Sequence, residues 1–425
     1  MLERVSLFTS KRDFFLFLLA CGIILTYSLL LEYQNYKKLT QFDSALVTAT
    51  VLKQYTKTKE VESGKRKTYQ VLKLKSDQGF SFYTTLNKNF PHAKEQEVEI
   101  EIWTDTINFY DYFTTFFAYT KEIRIHQEQS LKQKLSASLS QSHENEYIAN
   151  IYQALYLATP LRYELQGVFS ALGVSHLLAL SGFHLGVLSA LLFFLLKYPY
   201  KLLQQRYFPY RNSKADLFSI VAFFLLCYLL FLDSPASLLR AFAMLFIGFI
   251  LYDRGIKIVS MLTLSLTLIL LLSFFPRLLF SLGFWLSMSG VFYIFLFLIH
   301  FKHLHKYWQF ILLPFWLYLL MLPFSLALFG SFSIYHPLSI LWTTLFTLFY
   351  PLSLFFHLIG FADLLDGILE SFIALGEIQR SVVFEIKWLF VHILLSFLGM
   401  WKKSFIYLLL LYSLSLFIYA VYQIT

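Results

Sequence analysis

Runs of about twenty mainly apolar residues recur from Phe14 to the end of this chain, and that recurrence constrains the fold more than any other feature. A helix of such residues crosses the roughly 30 Å of bilayer hydrocarbon, where every backbone N–H and C=O must find its partner inside the protein. The 425 residues are 57% hydrophobic and 14% charged, a balance that excludes an ordinary soluble enzyme. The expected fold is a polytopic α-helical membrane protein of about ten spans.

The first run, Phe14 to Leu31, follows Arg4, Lys11 and Arg12, lacks a small-x-small cleavage site and is closed by Glu32. Residues 1–32 therefore read as an uncleaved membrane anchor. Net charge is +9, and cytoplasmic loops account for much of it under the positive-inside rule. The loop 197–214, with Lys197, Lys201, Arg206, Arg211 and Lys214, is expected inside; so are Asp253, Arg254 and Lys257, then Lys302 and Lys306. Spans are expected near 216–232, 236–252, 257–275, 278–299, 308–330 and 337–358. Lys402 and Lys403 also ask to be inside, which requires an odd crossing or a re-entrant piece near an amphipathic helix at 363–380. Cys21 and Cys227 both lie in apolar runs, so no disulfide framework is expected.

Residues 42–105 depart from this pattern. "ALVTATVLKQY", "KTYQVLKLKSD", "FSFYTTL" and "EVEIEIW" alternate apolar and polar residues, with turns at "ESGKRK" and "SDQGF". Four or five short strands suit a small all-β, OB-like barrel outside the membrane, although another extramembrane β-topology fits as well. Lys53, Lys57, Lys65, Arg66, Lys67 and Lys73, with Tyr69 and Tyr83, are candidates for a single-stranded nucleic acid surface, since such surfaces combine cations with stacking rings. Lys and Tyr are equally at home on an exposed sheet face. Residues 106–165 read as a connector, in which the aromatic stretch 107–119 lies at the membrane interface and 121–165 forms amphipathic helices.

Polar groups at bilayer depth cost a few kcal/mol, so each retained one is a candidate functional residue. In "HLLALSGFHLG" (176–186), an unbroken helix would place His176 about 140° around from Ser181, while Ser181 and His184 would be neighbours. Gly182 and Gly186 favour a break or a close helix crossing there. The Ser181–His184 pair also admits an intramembrane hydrolase or polymer transferase, although no GxSxG elbow is present. In "LDSPASLLRAFAM" (232–244), Pro235 suits a first helical turn, with Asp233 or Ser234 as cap, and Ser237 and Arg240 fall inside the membrane. Gly283, Pro337 and Pro351 continue the pattern of packing and bending residues within apolar runs. "HFKHLHK" (300–306) lacks a carboxylate or Cys partner, so no metal is expected, and with no Walker-type motif and no cofactor signature the chain reads as a non-enzyme.

Four of these elements carry a resemblance. "GVSHLLALSGFHLGVLSALL", "SPASLLRAFAM" with its extra Ala236, "PRLLFSLGFWLSMSGV" and "HPLSILWTTLFTLFYPL" resemble, in order, the motifs of the ComEC family of competence proteins. The resemblance runs over much of 150–355 and marks 166–425 as a ComEC-like transmembrane domain. It implies translocation of single-stranded transforming DNA across the cytoplasmic (inner) membrane, with the OB-like domain outside. It also implies as partners a periplasmic DNA receptor and a cytoplasmic motor or ssDNA-binding protein, with a homo-oligomer possible. Many members continue into a metallo-β-lactamase-like domain, and this sequence resembles the form without it. On that reading His176, Ser181, His184, Ser237 and Arg240 line the DNA path.

Overall fold

The computed structural model describes residues 10–60, 66–91, 93–94, 96–125, 130–178, 180–254, 259–376 and 380–424, with the backbone alone at Lys59, Glu60, Arg66 and Lys67. The chain divides into two compact units. One comprises Lys11–Gln141 with Leu270–Phe280; the other comprises Ser142–Ile269 with Ser281–Thr425.

The first unit begins with α1 (Lys11–Leu39), whose Phe15, Leu19 and Ile23 are more than half exposed. Large apolar side chains bared along a whole helix suit lipid and would aggregate in water. Strands β1 (Ser44–Glu60), β2 (Arg66–Ser76), β3 (Ser81–Asn87) and β4 (Glu97–Trp103) follow, then α2 (Phe109–Phe113), β5 (Phe116–Phe117), β6 (Thr120–Ile125) and α3 (Leu131–Gln141). The sheet order is β5-β3-β2-β1-β4-β6. Because β5 and β6 are pieces of one ten-residue stretch, a single piece of chain pairs with both edges, parallel to β3 and antiparallel to β4. The edges are thereby covered, and the sheet curls around Val47, Ala49, Val51, Leu72, Leu74, Phe82, Val98, Ile100 and Ile102. Each of these alternates with a polar neighbour, as period-two patterning requires.

Two expectations for the connector change here. The stretch 107–119 is not simply interfacial: Ile107, Tyr112, Phe116 and Ala118 are buried in the core of the sheet, and Phe116 stacks on Phe82 at 5.6 Å. Residues 120–125 are a strand, not a helix, because Ile123 and Ile125 alternate and pack against the core while Glu99 and Arg124 pair across β4 and β6. The sheet therefore reaches Ile125, beyond the expected boundary at 105. Within the same unit, Arg277 grips Glu32 of α1 through Nε and Nη2 at 2.8 and 2.7 Å and lies 4.7 Å over the Tyr112 ring.

The second unit is helical. Its elements are α4 (Glu146–Leu157), α5 (Tyr163–Ala171), the single turn α6 (Ser175–Leu178), α7 (Gly182–Tyr207), α8 (Ser213–Phe231), α9 (Ala236–Asp253) and α10 (Met261–Phe274), the last from Leu270 on being counted with the first unit. Then come α11 (Leu282–His300), α12 (Lys306–Phe329), β7 (Ser331–Phe332), α13 (Ser339–Ile359), α14 (Asp366–Gly376), β8 (Arg380–Ser381), α15 (Ile386–Leu398) and α16 (Lys403–Ile424). Among the described residues eight helices are long and apolar enough to cross a membrane: α1, α7, α8, α9, α11, α12, α13 with the 3-10 turn before it, and α16. The apolar helices α10 and α15 are shorter, which accounts for the difference from the ten runs of the sequence.

The basic segment 197–214 is not all loop. Helix α7 continues through Pro199 to Tyr207, since proline can bend a long helix without ending it. The buried Gln204 side chain then donates to the carbonyls of Phe208, Pro209 and Arg211, and Asp216 holds Arg211 at 2.6 Å. The segment 363–380 is split: a 3-10 turn at Ala362–Leu365, then α14.

Candidate functional site

The chain interrupts its helical path between α5 and α7. Gly173 ends α5 with φ of 72°, and an added Cβ would lie 2.7 Å from Cε1 of His336. Only glycine fits both the left-handed backbone and that close approach. After α6, Ser181 caps α7: its Oγ accepts from the Phe183 N–H at 3.3 Å, and its own N–H donates to Nδ1 of His184 at 3.2 Å. This reciprocal capping box explains why "SGFH" carries polar groups at depth: they satisfy the backbone donors a broken helix leaves open.

His184 is 1% exposed, with its ring edge-on to Tyr350 at 4.9 Å and Phe346 at 5.2 Å. Nδ1 lies 3.2 Å from Ser181 Oγ, whereas Nε2 is buried with no partner. A serine nucleophile would need a group to orient and charge-compensate that imidazole from Nε2, and the ring faces aromatic carbon instead.

Arg240 is 5% exposed on α9. Its Nη1 reaches only the Met244 sulfur, at 3.1 Å, its Nε has no partner, and none of the ion pairs among the described residues includes it. Gly182 lets the guanidinium in: a Cβ there would lie 2.8 Å from Arg240 Nη2 and 3.0 Å from Ala241 Cβ. Ser237 Oγ, one turn earlier on α9, donates to the Leu180 carbonyl at 2.5 Å and ties the break to α9. A buried guanidinium without a carboxylate is costly, and its five donors are suited to an oxyanion. Asp233 and Ser234 do not cap α9 as expected. Both have positive φ, 59° and 50°, in the turn after α8, and Pro235 takes the N-cap position, its carbonyl accepting from Leu238 and Leu239.

His176 is exposed, and its Nε2 meets Thr343 Oγ1 of α13 at 3.3 Å. The structure thus brings Ser181, His184, Ser237 and Arg240 around the start of α7 and directs His176 to α13. Gly186 and Gly283 depart from the expected close packing, since nothing lies within 4 Å of either would-be Cβ. Gly186 instead borders a groove of about 590 Å³ with Gly182, Phe183, Val187, Thr347 and Pro351. Pro337 is the second residue of the 3-10 turn before α13, and Pro351 lies within that helix. In "HFKHLHK", His305 caps α12.

On the six-stranded sheet, Lys53, Lys73 and Tyr83 are cross-strand neighbours on β1, β2 and β3, and Lys57, Tyr69 and Asn87 form a parallel row. Lys73 Nζ lies 5.4 Å over the Tyr83 ring. Burial pulls both ammonium groups below the ordinary lysine range, and at Lys53 the Lys73 charge adds to it. Lys65 lies outside the described residues; Arg66 and Lys67 are placed on β2 by backbone alone. Another face is acidic, a hollow lined by Leu46, Glu99, Glu101, Glu122 and Arg124. There the bonded Lys121 ammonium, at 2.8 Å, and the Ser44 hydroxyl hold Glu101 below the usual carboxylate range.

A family model described as "Competence protein" matches residues 160–424, more than half of the chain. The chain belongs to the competence protein family. Comparison with curated proteins and with solved structures finds no match. Membership in the competence family gives this multi-pass membrane protein a role in competence-related DNA uptake and agrees with the resemblance carried by the four motifs.

Sequence reasoning about this competence protein passed over several histidines. His336, 3% exposed, stacks on Phe332 at 4.7 Å and meets the Tyr318 hydroxyl at 3.1 Å, with Nε2 unpartnered. His392 is satisfied on both nitrogens, by Tyr293 and the Leu320 carbonyl at 2.9 and 3.0 Å and by Ser413 at 3.3 Å, so it fastens α15 to α11, α12 and α16. No group of three or more His, Cys, Asp or Glu among the described residues is placed to hold a metal ion.

Proposed function

We propose that this competence protein passes one strand of transforming DNA across the cytoplasmic membrane, beside the break between α6 and α7. The observation that carries the reading is Arg240: a guanidinium kept in the helical unit without a carboxylate, at a point where a glycine was needed to admit it. A strand's phosphates cannot enter hydrocarbon, and a path for them needs hydrated, cationic and hydrogen-bonding groups spaced through the bundle. Arg240, Ser237, Ser181, His184 and His176 are the proposed lining.

We assign residues 1–32 as anchor, the sheet to Ile125 as an OB-like receiving domain outside the membrane, and the helices from about 166 onward as the translocating domain. The OB-like reading is supported by the strand order, in which residues 116–125 bridge β3 and β4. The Lys53–Lys73–Tyr83 row supports a strand held by its backbone and stacked on rings, without base readout. The acidic hollow at Glu99, Glu101 and Glu122 directs the strand away from β4 and β6. A receptor outside, a motor or single-strand-binding protein inside and self-association are the proposed partners, since no nucleotide-hydrolysis motif occurs in the chain.

Labelled DNA followed in cells lacking the protein tests this. The expected result is label accumulating outside the inner membrane, and label reaching the cytoplasm at the normal rate would refute it. The enzyme reading keeps one observation in its favour, the 3.2 Å Ser181–His184 contact, which a substitution described below separates from capping.

A further inference from the structure

Two imidazole nitrogens face each other where three distant stretches of chain meet. His143 Nε2 lies 3.1 Å from His357 Nε2. His143, in the turn before α4, has a fully buried side chain, and its Nδ1 lies 2.8 Å from Oδ2 of Asp366 at the start of α14. His357, in the last turn of α13, donates its Nδ1–H to the Ser353 carbonyl at 2.7 Å, with the Tyr156 hydroxyl 3.4 Å from the same nitrogen. Tyr152 fixes both rings, stacked on His143 at 4.6 Å and edge-on to His357 at 4.5 Å.

The outer partners determine where protons sit. A carbonyl only accepts, so His357 Nδ1 carries hydrogen; an ionised Asp366 accepts likewise, so His143 Nδ1 carries hydrogen. At 3.1 Å the two Nε2 atoms are within hydrogen-bond range, which requires one N–H between them. Two lone pairs there repel, and two N–H groups collide. The triad with one shared proton holds one carboxylate, one imidazolium and one neutral imidazole, and is neutral overall, which avoids the cost of an uncompensated charge in a partly buried cluster.

We propose that the His143–His357 pair is a proton-binding site that fastens the end of α13 to the turn before α4 and the start of α14. It holds while one proton is shared, and it opens when that proton is withdrawn or a second is added. The groups facing it are accounted for from each neighbouring element. Glu370 of α14 accepts from Asn145 at 3.0 Å, and Glu146 of α4 pairs with Arg162 at 2.6 Å. Asp363 lies in the 3-10 turn before α14, and Glu144 next to His143 in the turn. Burial, reinforced by the Asp363 charge, holds the Asp366 carboxyl above the usual carboxylate range. Acid therefore reaches Asp366 early and replaces the charged acceptor of His143 Nδ1–H with a weaker neutral one, adding to the opening on the acid side.

Hydrogen exchange read by mass spectrometry on the full chain in nanodiscs, from about pH 5 to about pH 9, tests the site. After correction for intrinsic rates, peptides covering 142–150 and 354–366 should be most protected at an intermediate pH and lose about tenfold protection on either side. His357→Gln keeps one donor and one acceptor without titrating, and should flatten the profile; His143→Gln, carried in parallel, should do the same and keeps the test in force where one variant misfolds. A flat wild-type profile, or a wild-type profile retained in both variants, overturns the proposal. A wild-type profile that collapses on adding EDTA would put a metal between the nitrogens in place of the proton, and would overturn it too.

Discussion

Replacing Lys53 and Lys73 together with Gln removes two cations from one cross-strand row while leaving the strand register intact. On single strands each neutralised phosphate contributes about −0.7 to the slope of log affinity against log salt, so the double variant should lose about 1.4 from that slope. Between about 50 and about 200 mM salt the wild-type affinity should then fall roughly sevenfold more than the variant's. Fluorescence anisotropy of a labelled single-stranded oligonucleotide on the full chain in micelles measures both. The pH profile has a definite sign. Burial lowers both ammonium pKa values in the free protein, a phosphate restores them, and binding should therefore take up protons as pH approaches the ordinary lysine value of ~10.4 from below, with affinity falling as pH rises. Gln at Glu99 and Glu101 is the control and should not reduce the slope, because no cation is lost. An unchanged slope in the Lys53/Lys73 variant would refute the assignment of the DNA surface to β1–β3.

Two other substitutions have clear outcomes. Gly173→Ala combines a left-handed alanine, roughly 1–2 kcal/mol, with displacement of a ring bonded to Tyr318, about 1 kcal/mol, so a loss of roughly 2–3 kcal/mol is expected in thermal unfolding; an unchanged midpoint would contradict the packing of His336 on Gly173. Ser181→Asn keeps an N-cap and removes the hydroxyl, whereas Ser181→Ala loses about 1 kcal/mol of cap. DNA uptake near the wild-type level in the Asn variant is expected, and its abolition in a folded Asn variant would favour a serine nucleophile.

Much of this architecture is legible in the residues themselves. Apolar runs mark the helices because lipid demands about twenty such residues, and alternation in "EVEIEIW" marks β4 because one face is buried. "SGFH" announces a helix start through side chains that cap locally, a relation within four residues. What is not legible depends on distance along the chain. His143 is 214 residues from His357 and 223 from Asp366, so no spacing rule joins them. Residues 107–125 misled because an aromatic stretch suits a membrane interface and the core of a sheet alike, and only the unpaired edges of β3 and β4 decide between them. Gly182 and Gly186 look equivalent in sequence and border the same groove, yet only Gly182 abuts a guanidinium. Glycine's meaning lies in what approaches it.

The most direct test of the central claim replaces Arg240 with Met and measures, on the same protein, the thermal midpoint and the entry of labelled DNA into the cytoplasm. A buried guanidinium with no carboxylate costs stability, so its removal should leave the midpoint unchanged or higher while DNA stalls outside. A folded Arg240→Met protein that imports DNA at the wild-type rate would contradict the account.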